Sequence, residues 1–492
     1  METKMIKIAD NRFLQNLFPF MVCICTIAHI GAAGCRKPRD KSGKTEDAAK
    51  EGKRGEEEGE HTAVSPLEKE RVKTAKSFLD LLNKDEFEKA AAMFDDTMRN
   101  ALPVDNLAGT WQSIAKKMGK YQEVVETKTQ QKGPLTAVEL ITRFENSSAN
   151  IRVVINEKGQ VGGFFIAPVS AKDEWKPPKY ADPKTFTEVD VKIGEEPWVL
   201  PGTLTLPKAS SEKPVCAAVL VHGSGPHDRD ETIGPNKPFK DLAWGLASRG
   251  IAVLRYDKRT LVHGEKMVKE KHGITIKDET LDDALYAVDF LRSRKEIHPR
   301  CIVVVGHSLG GYVAPLMGER DSKLGGLVLL AANTRNLQTL ILGQFEYLFS
   351  LEGEISEENE KKLGEIKKSI SVLEDPEALA LAEDKDLPLG LPAEYWKALL
   401  DYDLKTVVRA LSMPILVLQG ERDYQVTMED FSGWKEILAG KPNVSYKSYP
   451  RLNHLFIEGD SKSTPAEYEK PGKVSGEVVG DIASFIKNTA SK

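Results

Sequence analysis

The sequence is short of the features that mark a nucleic-acid binder, a multi-span membrane protein or a stapled peptide. Neither charge is in surplus: 69 Lys and Arg stand against 74 Asp and Glu, a net charge of −5 over 492 residues. No strong basic field is therefore available for nucleic-acid phosphates. Apolar runs of the ~20 residues that each membrane-spanning helix needs are missing, apart from one at the N-terminus. No repeat of ~40 to 50 residues appears, which excludes a propeller. Cysteine is scarce, and after Cys35 only Cys216 and Cys301 remain. What is present is length: 492 residues allow two or three folding units of ~150 residues with ample core. The 29% charged and 40% hydrophobic content is ordinary for a soluble protein.

Lys4, Lys7 and Arg12 precede a mostly apolar stretch from Leu14 to Gly34, and the small residues Gly31-Ala32-Ala33-Gly34 close it before Cys35. Basic, apolar and small segments in that order read as a secretory signal over residues 1–35. Small residues ahead of a cysteine resemble the bacterial lipobox, although Ala32 stands where that motif usually has leucine. The resemblance implies that Cys35 is lipidated, which would leave the protein exported and anchored on the periplasmic or cell-surface side of a membrane. An ordinary signal peptide and an uncleaved anchor are the alternatives. From Arg36 to Thr62 there are 8 basic and 8 acidic residues in 27, with Ala48 and Ala49 as the only aliphatic side chains. Such a segment cannot bury enough apolar area to offset its ordering entropy, so residues 36–64 are expected to be a disordered tether. Cys216 and Cys301 each begin an apolar run and are expected to be packed thiols, with pairing as the alternative in an exported chain.

Two folded units follow. Val72, Ala75, Phe78, Leu79 and Leu82 keep helical spacing, Phe87 to Phe94 continues it after a break near Asn83, and a third helix is expected from Val104 to Met118. Four short runs rich in Val, Ile and Thr, between Tyr121 and Ile166, read as antiparallel strands. Residues 65–168 are thus expected to form a small α+β domain, similar in pattern to the cystatin-like or ketosteroid-isomerase-like cones that precede hydrolases in some exported bacterial proteins. It contains no paired acid and base, so a binding or spacer role is expected of it. A Pro- and Lys-containing linker over 169–183 leads to a second unit, 184–492. There, five apolar runs recur: Cys216 to Val221, Ile251 to Tyr256, Cys301 to Val305, Gly326 to Ala332 and Pro414 to Leu418. Continuous rather than alternating hydrophobicity marks strands buried on both faces, and helix patterns between them make this an α/β fold with a mostly parallel central sheet. Ligands of such sheets bind beyond the carboxyl ends of the strands, so chemistry is sought immediately after each run.

After Val305 the chain reads Gly306-His307-Ser308-Leu309-Gly310-Gly311, a G-x-S-x-G pattern between strand and helix. Small neighbours let the backbone turn sharply enough to lift the Ser308 hydroxyl above the sheet. A serine hydroxyl needs a base oriented by a carboxylate. The loop after Pro414 to Leu418 offers Asp423, with Glu421 as competitor; the loop after Ala332 carries no carboxylate. Downstream of Asp423 the single histidine is His454, so chain order selects the base. The oxyanion of a tetrahedral intermediate needs two N–H donors. Leu309 is expected to supply one and Ser224, in His222-Gly223-Ser224-Gly225-Pro226, the other. His222 and His227 are expected to order that loop, Arg229 and Asp230 to form an ion pair within it, and Asp257 to accept structural hydrogen bonds.

The stretches from His222 to Phe239, from Gly250 to Thr260 and from Gly306 to Gly311 closely resemble EstD-type bacterial serine carboxylesterases of the α/β-hydrolase superfamily, with likeness running from about Phe186 to the C-terminus. The resemblance implies hydrolysis of small-molecule esters without metal or organic cofactor. It places Ser308, Asp423 and His454 at the catalytic positions and Ser224 and Leu309 at the oxyanion positions. About 80 residues separate the strands ending at Ala332 and beginning at Pro414, and three helical patterns there, Leu337 to Leu351, Glu357 to Leu373 and Glu394 to Leu411, are expected to form a cap over residues 333–412. A peptidase or amidase and a thioesterase share the same chemistry. From another class, a tethered binding lipoprotein with an inert hydrolase unit is the alternative.

Overall fold

The computed structural model describes residues 66–489, apart from 133, 134, 147, 170–174, 270–273, 352 and 354. The export segment, tether and Cys35 lie outside the described residues. The chain divides into two compact units between Glu174 and Trp175.

The first unit is a small α+β domain. Helices α1 (Pro66–Asn83), α2 (Phe87–Ala92), α3 (Asp96–Ala101) and α4 (Val104–Met118) precede strands β1 (Tyr121–Lys132), β2 (Leu135–Phe144), β3 (Ser148–Ile155) and β4 (Val161–Val169). The strands form an antiparallel meander in the order β1-β2-β3-β4. Alternation puts Val138, Leu140, Ile151 and Val153 into a core with Phe78, Leu79 and Leu82 of α1. The short helix α3 breaks the expected pattern. It starts because the Asp95 carboxylate accepts the Met98 N–H at 2.8 Å, a side-chain cap that apolar spacing does not reveal.

The second unit is built on an eight-stranded sheet. Its strands are β5 (Phe186–Ile193), β6 (Leu200–Pro207), β7 (Val215–Val221), β8 (Ala252–Tyr256), β9 (Ile297–His307), β10 (Gly326–Leu330), β11 (Ile415–Gly420) and β12 (Val444–Tyr449). Their spatial order is β12-β11-β10-β9-β7-β8-β6-β5. The run from β12 to β8 is parallel, whereas β6 is antiparallel to β8 and β5 to β6. Every residue of β8, β10 and β11 is buried, as their unbroken hydrophobicity requires. Helices α5 (Pro238–Ala247), α6 (Arg259–Lys269), α7 (Asp282–Arg292) and α8 (Leu309–Arg320) fall between the strands as far as β10. Helix α14 (Met428–Ile437) joins β11 to β12, and α15 (Gly476–Thr489) closes the chain.

The insertion between β10 and β11 holds α9 (Leu337–Ser350), α10 (Glu357–Ser371), α11 (Pro376–Leu381), α12 (Ala393–Leu400) and α13 (Leu404–Ala410). The single helix expected from Glu394 to Leu411 is therefore two. The Asp403 side chain caps the Thr406 N–H at 3.0 Å, starting a new helix after a break at Asp401 and Tyr402.

Cys216 and Cys301 are joined in a disulfide rather than lying as separate packed thiols. Parallel pairing of β7 with β9 sets Ala217 opposite Ile302. The two cysteines that precede these residues are consequently 4.8 Å apart between Cα atoms, inside bridging range. Neither apolar run by itself contains that register.

Candidate active site

Ser308 stands between the last residue of β9 and the first of α8, with φ 52° and ψ −119°. A positive φ costs a serine of order 1–3 kcal/mol and persists only where the surroundings fix it. The flanking glycines explain how this turn is reached. A Cβ at Gly306 would lie 2.3 Å from the Gly310 carbonyl oxygen, and one at Gly310 would lie 2.3 Å from that of Val221. The Ser308 N–H donates to the Leu330 carbonyl at 2.8 Å, fixing the elbow to β10.

Asp423 and His454 meet at the same end of the sheet. The Asp423 Oδ2 and His454 Nδ1 are 2.6 Å apart, and both residues are buried. The other carboxylate oxygen accepts the N–H groups of Gln425 and Val426 at 2.8 and 3.1 Å, so the loop backbone holds the acid in one orientation. His454 is tied to the elbow, because its carbonyl oxygen lies 3.0 Å from Nε2 of His307, the neighbour of Ser308. Glu421 is exposed and takes the Ser448 hydroxyl at 2.8 Å. Arg422 turns away from it to pair with Glu467.

The loop after β7 lies against the elbow: a Cβ on Gly223 would come within 3.2 Å of the Ser308 Cβ. The Gly223 N–H is committed to Glu231 Oε1 at 2.8 Å, which makes the next N–H, that of Ser224, the loop's candidate donor toward the nucleophile. The Leu309 N–H is at the first residue of α8, where backbone donors and the helix dipole favour negative charge. His222 and His227 order this loop as expected, with ring nitrogens 3.0 Å from the Asp228 carbonyl and 2.8 Å from the Ser224 carbonyl. Burial pushes the His222 imidazole down to about 3, so it stays neutral.

The expected pair of Arg229 with Asp230 does not form. Arg229 instead grips Asp257, with Nη2 at 2.9 Å and both its backbone N–H and Nε bonded to the same carboxylate. Asp230 pairs with Arg255 and with Lys237. Arg229 and Asp230 are adjacent in a turn closed by the Glu231 N–H to the Asp228 carbonyl, and their side chains take different partners, whereas Asp257 directly follows β8 and meets Arg229 from there.

Two groups of buried charges in contact with the Gly223 loop or the elbow are not among the residues that the sequence singles out. Glu231 and His307 form one, with Oε2 3.0 Å from Nδ1. In the other, Lys258 donates to the Gly223 carbonyl at 2.7 Å and pairs with Glu279, whose second oxygen accepts the hydroxyl of Tyr395, on α12, at 2.7 Å. Their partners lie 21 to 116 residues apart, so only the fold assembles them. Glu231, Lys258 and Glu279 each sit between polar neighbours, so no local pattern in the sequence sets them apart as buried.

The strand order, the elbow and the Asp423–His454 contact define the scaffold of an α/β-hydrolase, and comparison with known proteins agrees. Residues 213–461 match the family described as serine aminopeptidase, S33, and residues 75–164 match a family described as a protein of unknown function, DUF3887. Esterase EstD of Thermotoga maritima is 36% identical over 409 residues, covering 83% of this chain and 93% of that protein. The chain belongs to the EstD-type bacterial serine carboxylesterases of the α/β-hydrolase superfamily. Solved structures similar to it include Est1E from Butyrivibrio proteoclasticus, with 18% identity, TM-score 0.40 and coverage of 62% of this chain and 99% of that one. The Pyrococcus furiosus esterase Pf2001 has 16% identity and TM-score 0.38, covering 64% and 94%.

Proposed function

We propose that the protein cleaves carboxylic esters through an acyl-enzyme on Ser308, with His454 as the base and Asp423 as its orienting carboxylate. The observation that carries this reading is the buried 2.6 Å contact of Asp423 with His454 Nδ1 beside a strained nucleophile elbow. Asp423 can only accept when ionised, so it keeps the proton of neutral His454 on Nδ1 and leaves Nε2 to take the Ser308 proton. Attack forms a bond from Ser308 Oγ to the carbonyl carbon, and the N–H groups of Ser224 and Leu309 receive the oxyanion. Each such donor contributes about 100- to 1000-fold in rate. His454 returns the proton to the departing alcohol and then activates water to release the acid.

The test is hydrolysis of p-nitrophenyl esters from acetate to palmitate by the chain lacking residues 1–35, beside Ser308→Ala. Equal rates for both proteins on every ester would refute the reading. Aminoacyl and peptidyl p-nitroanilides and acyl thioesters belong in the same panel, since the serine aminopeptidase description of the matching family supports an amidase as second reading. Preference for the anilides over the esters would select it.

We also propose that the protein is exported and anchored through lipidated Cys35. The disulfide supports an oxidising compartment, and metabolic labelling with a palmitate analogue should depend on Cys35.

A further inference from the structure

We infer that Glu231 and His307 are a buried positioning pair, which ties the oxyanion loop, the nucleophile elbow and the His454 loop into one unit and thereby sets the alignment of His454 on Ser308. The inference rests on the serine-hydrolase reading and assigns it two residues that the proposed mechanism does not use.

The geometry is a chain of four contacts. The Gly223 N–H donates to Glu231 Oε1 at 2.8 Å. Glu231 Oε2 is 3.0 Å from His307 Nδ1. On the other side of the ring, Nε2 is 3.0 Å from the His454 carbonyl oxygen, and the rings of His307 and His454 lie 4.7 Å apart. Both Glu231 and His307 are buried, at 1% and 5% exposure. The surrounding cavity is apolar, lined by Phe239, Leu330, Leu455 and Phe456, so water offers little competition for these contacts.

The protonation state follows from the partners. Nε2 faces a carbonyl oxygen, which can only accept, so it carries hydrogen, while Nδ1 lies 3.0 Å from the Glu231 carboxylate, off hydrogen-bond geometry, where the negative charge favours a second hydrogen. His307 is then an imidazolium paired with the Glu231 carboxylate. Burial opposes each charge, but His307 holds the Glu231 carboxyl at about 2, and Glu231 raises the imidazole. The other titratable groups facing the pair are Asp423 and His454, toward His307, and His222 and His227, toward Glu231.

Glu231 also sits at φ 49°, a left-handed backbone conformation unfavourable for glutamate. That conformation aims its carboxylate back at Gly223 and His307. Neither residue need touch substrate. Their effect is transmitted through the position of the His454 backbone, and a misplacement of about 1 Å in a catalytic group costs roughly 100-fold in rate.

The experiment compares Glu231→Ala and Glu231→Gln with wild type on p-nitrophenyl acetate, with folded protein quantified by circular dichroism. Alanine removes the bridge and should lower kcat by about 100-fold with KM little changed. Glutamine can accept from Gly223 and donate its amide to the Nδ1 of neutral His307, whose Nε2–H still reaches His454. It should therefore recover at least about tenfold of the lost kcat. Nitrogen-15 NMR at pH 7 should find both His307 nitrogens protonated in wild type and a single protonated nitrogen in Glu231→Gln. A neutral His307 in wild type overturns the inference. So does a folded Glu231→Ala whose kcat is within about threefold of wild type, or one whose loss lies in KM alone. If Glu231→Ala fails to fold, the glutamine variant and the NMR measurement still decide. Recording the same spectrum on Ser308→Ala separates the two readings, because the charge on His307 does not depend on which residue is the nucleophile.

Discussion

The Cys216–Cys301 disulfide lends itself to a quantitative test. It joins strands that are already paired in the native sheet, so its effect falls on the unfolded chain, where it closes a loop across a separation of 85 residues. Loop-closure entropy for that length is about 15 cal/mol/K, or about 4.6 kcal/mol at 25 °C. At about 2 °C per kcal/mol for a unit of this size, the melting temperature of the second unit should fall by about 10 °C when the bond is absent. The comparison is between oxidised wild type, wild type unfolded and refolded in reductant, and the double variant Cys216→Ala, Cys301→Ala. Reductant is applied to the unfolded chain so that reduction is complete, because Cys301 is fully buried and Cys216 partly so in the native sheet. The reduced wild type keeps both sulfur atoms and isolates the cross-link, while the alanines add a packing loss. Below the melt, ester hydrolysis should be unchanged, since the sheet pairing that carries Ser308 and Ser224 does not depend on the bond. A difference of less than about 2 °C between oxidised and reduced wild type would refute the reasoning.

Three further outcomes follow from contacts around the site. Asp423→Asn should cut kcat by about 10⁴-fold, because an amide no longer fixes the His454 tautomer. Glu421→Gln, exposed and off the site, should stay within about twofold, and the reverse pattern in the kinetics would reassign the acid. Gly310→Ala forces a Cβ to within 2.3 Å of the Val221 carbonyl oxygen and 2.6 Å of that of His222. Overpacking of this kind should cost about 1–3 kcal/mol in denaturant unfolding and displace the elbow, lowering the rate as well. Tyr395→Phe leaves one Glu279 oxygen without its buried donor and should cost about 1.5–3 kcal/mol; a value under about 0.5 would show that the hydroxyl is dispensable.

The parts of this protein legible in its sequence are those where pattern and position coincide. Five of the six parallel strands announced themselves by continuous apolar runs, and Ser308 and Asp423 by their place just after such runs, whereas β12, Val-Ser-Tyr-Lys-Ser-Tyr, is parallel without being apolar. His454 needed no geometry, since chain order left no competitor. The edge strand β5 gave no such signal: in Phe186-Thr-Glu-Val-Asp-Val-Lys-Ile193 the middle positions are largely exposed, and strand-forming residues alternate with charges. The disulfide, the Arg229–Asp257 grip and the Glu231–His307 pair were hidden for a common reason. Each joins segments whose mutual register exists only once the sheet has assembled. Helix ends in the small domain and cap depended on single aspartates, Asp95 and Asp403, whose capping role is local but invisible to hydrophobic periodicity.

The bridge from Tyr395 through Glu279 and Lys258 to the Gly223 carbonyl has a consequence for how such an enzyme can change. An insertion resting on the sheet through apolar contacts alone could be exchanged like a part. Here the insertion between β10 and β11 is keyed to the loop proposed to receive the oxyanion. A transplanted cap lacking a hydroxyl at this place would leave a buried carboxylate unanswered next to the lysine that steadies that loop. A change in the insertion that removes Tyr395 should therefore be felt at the loop proposed to receive the oxyanion, and directed evolution of this segment should retain that hydroxyl.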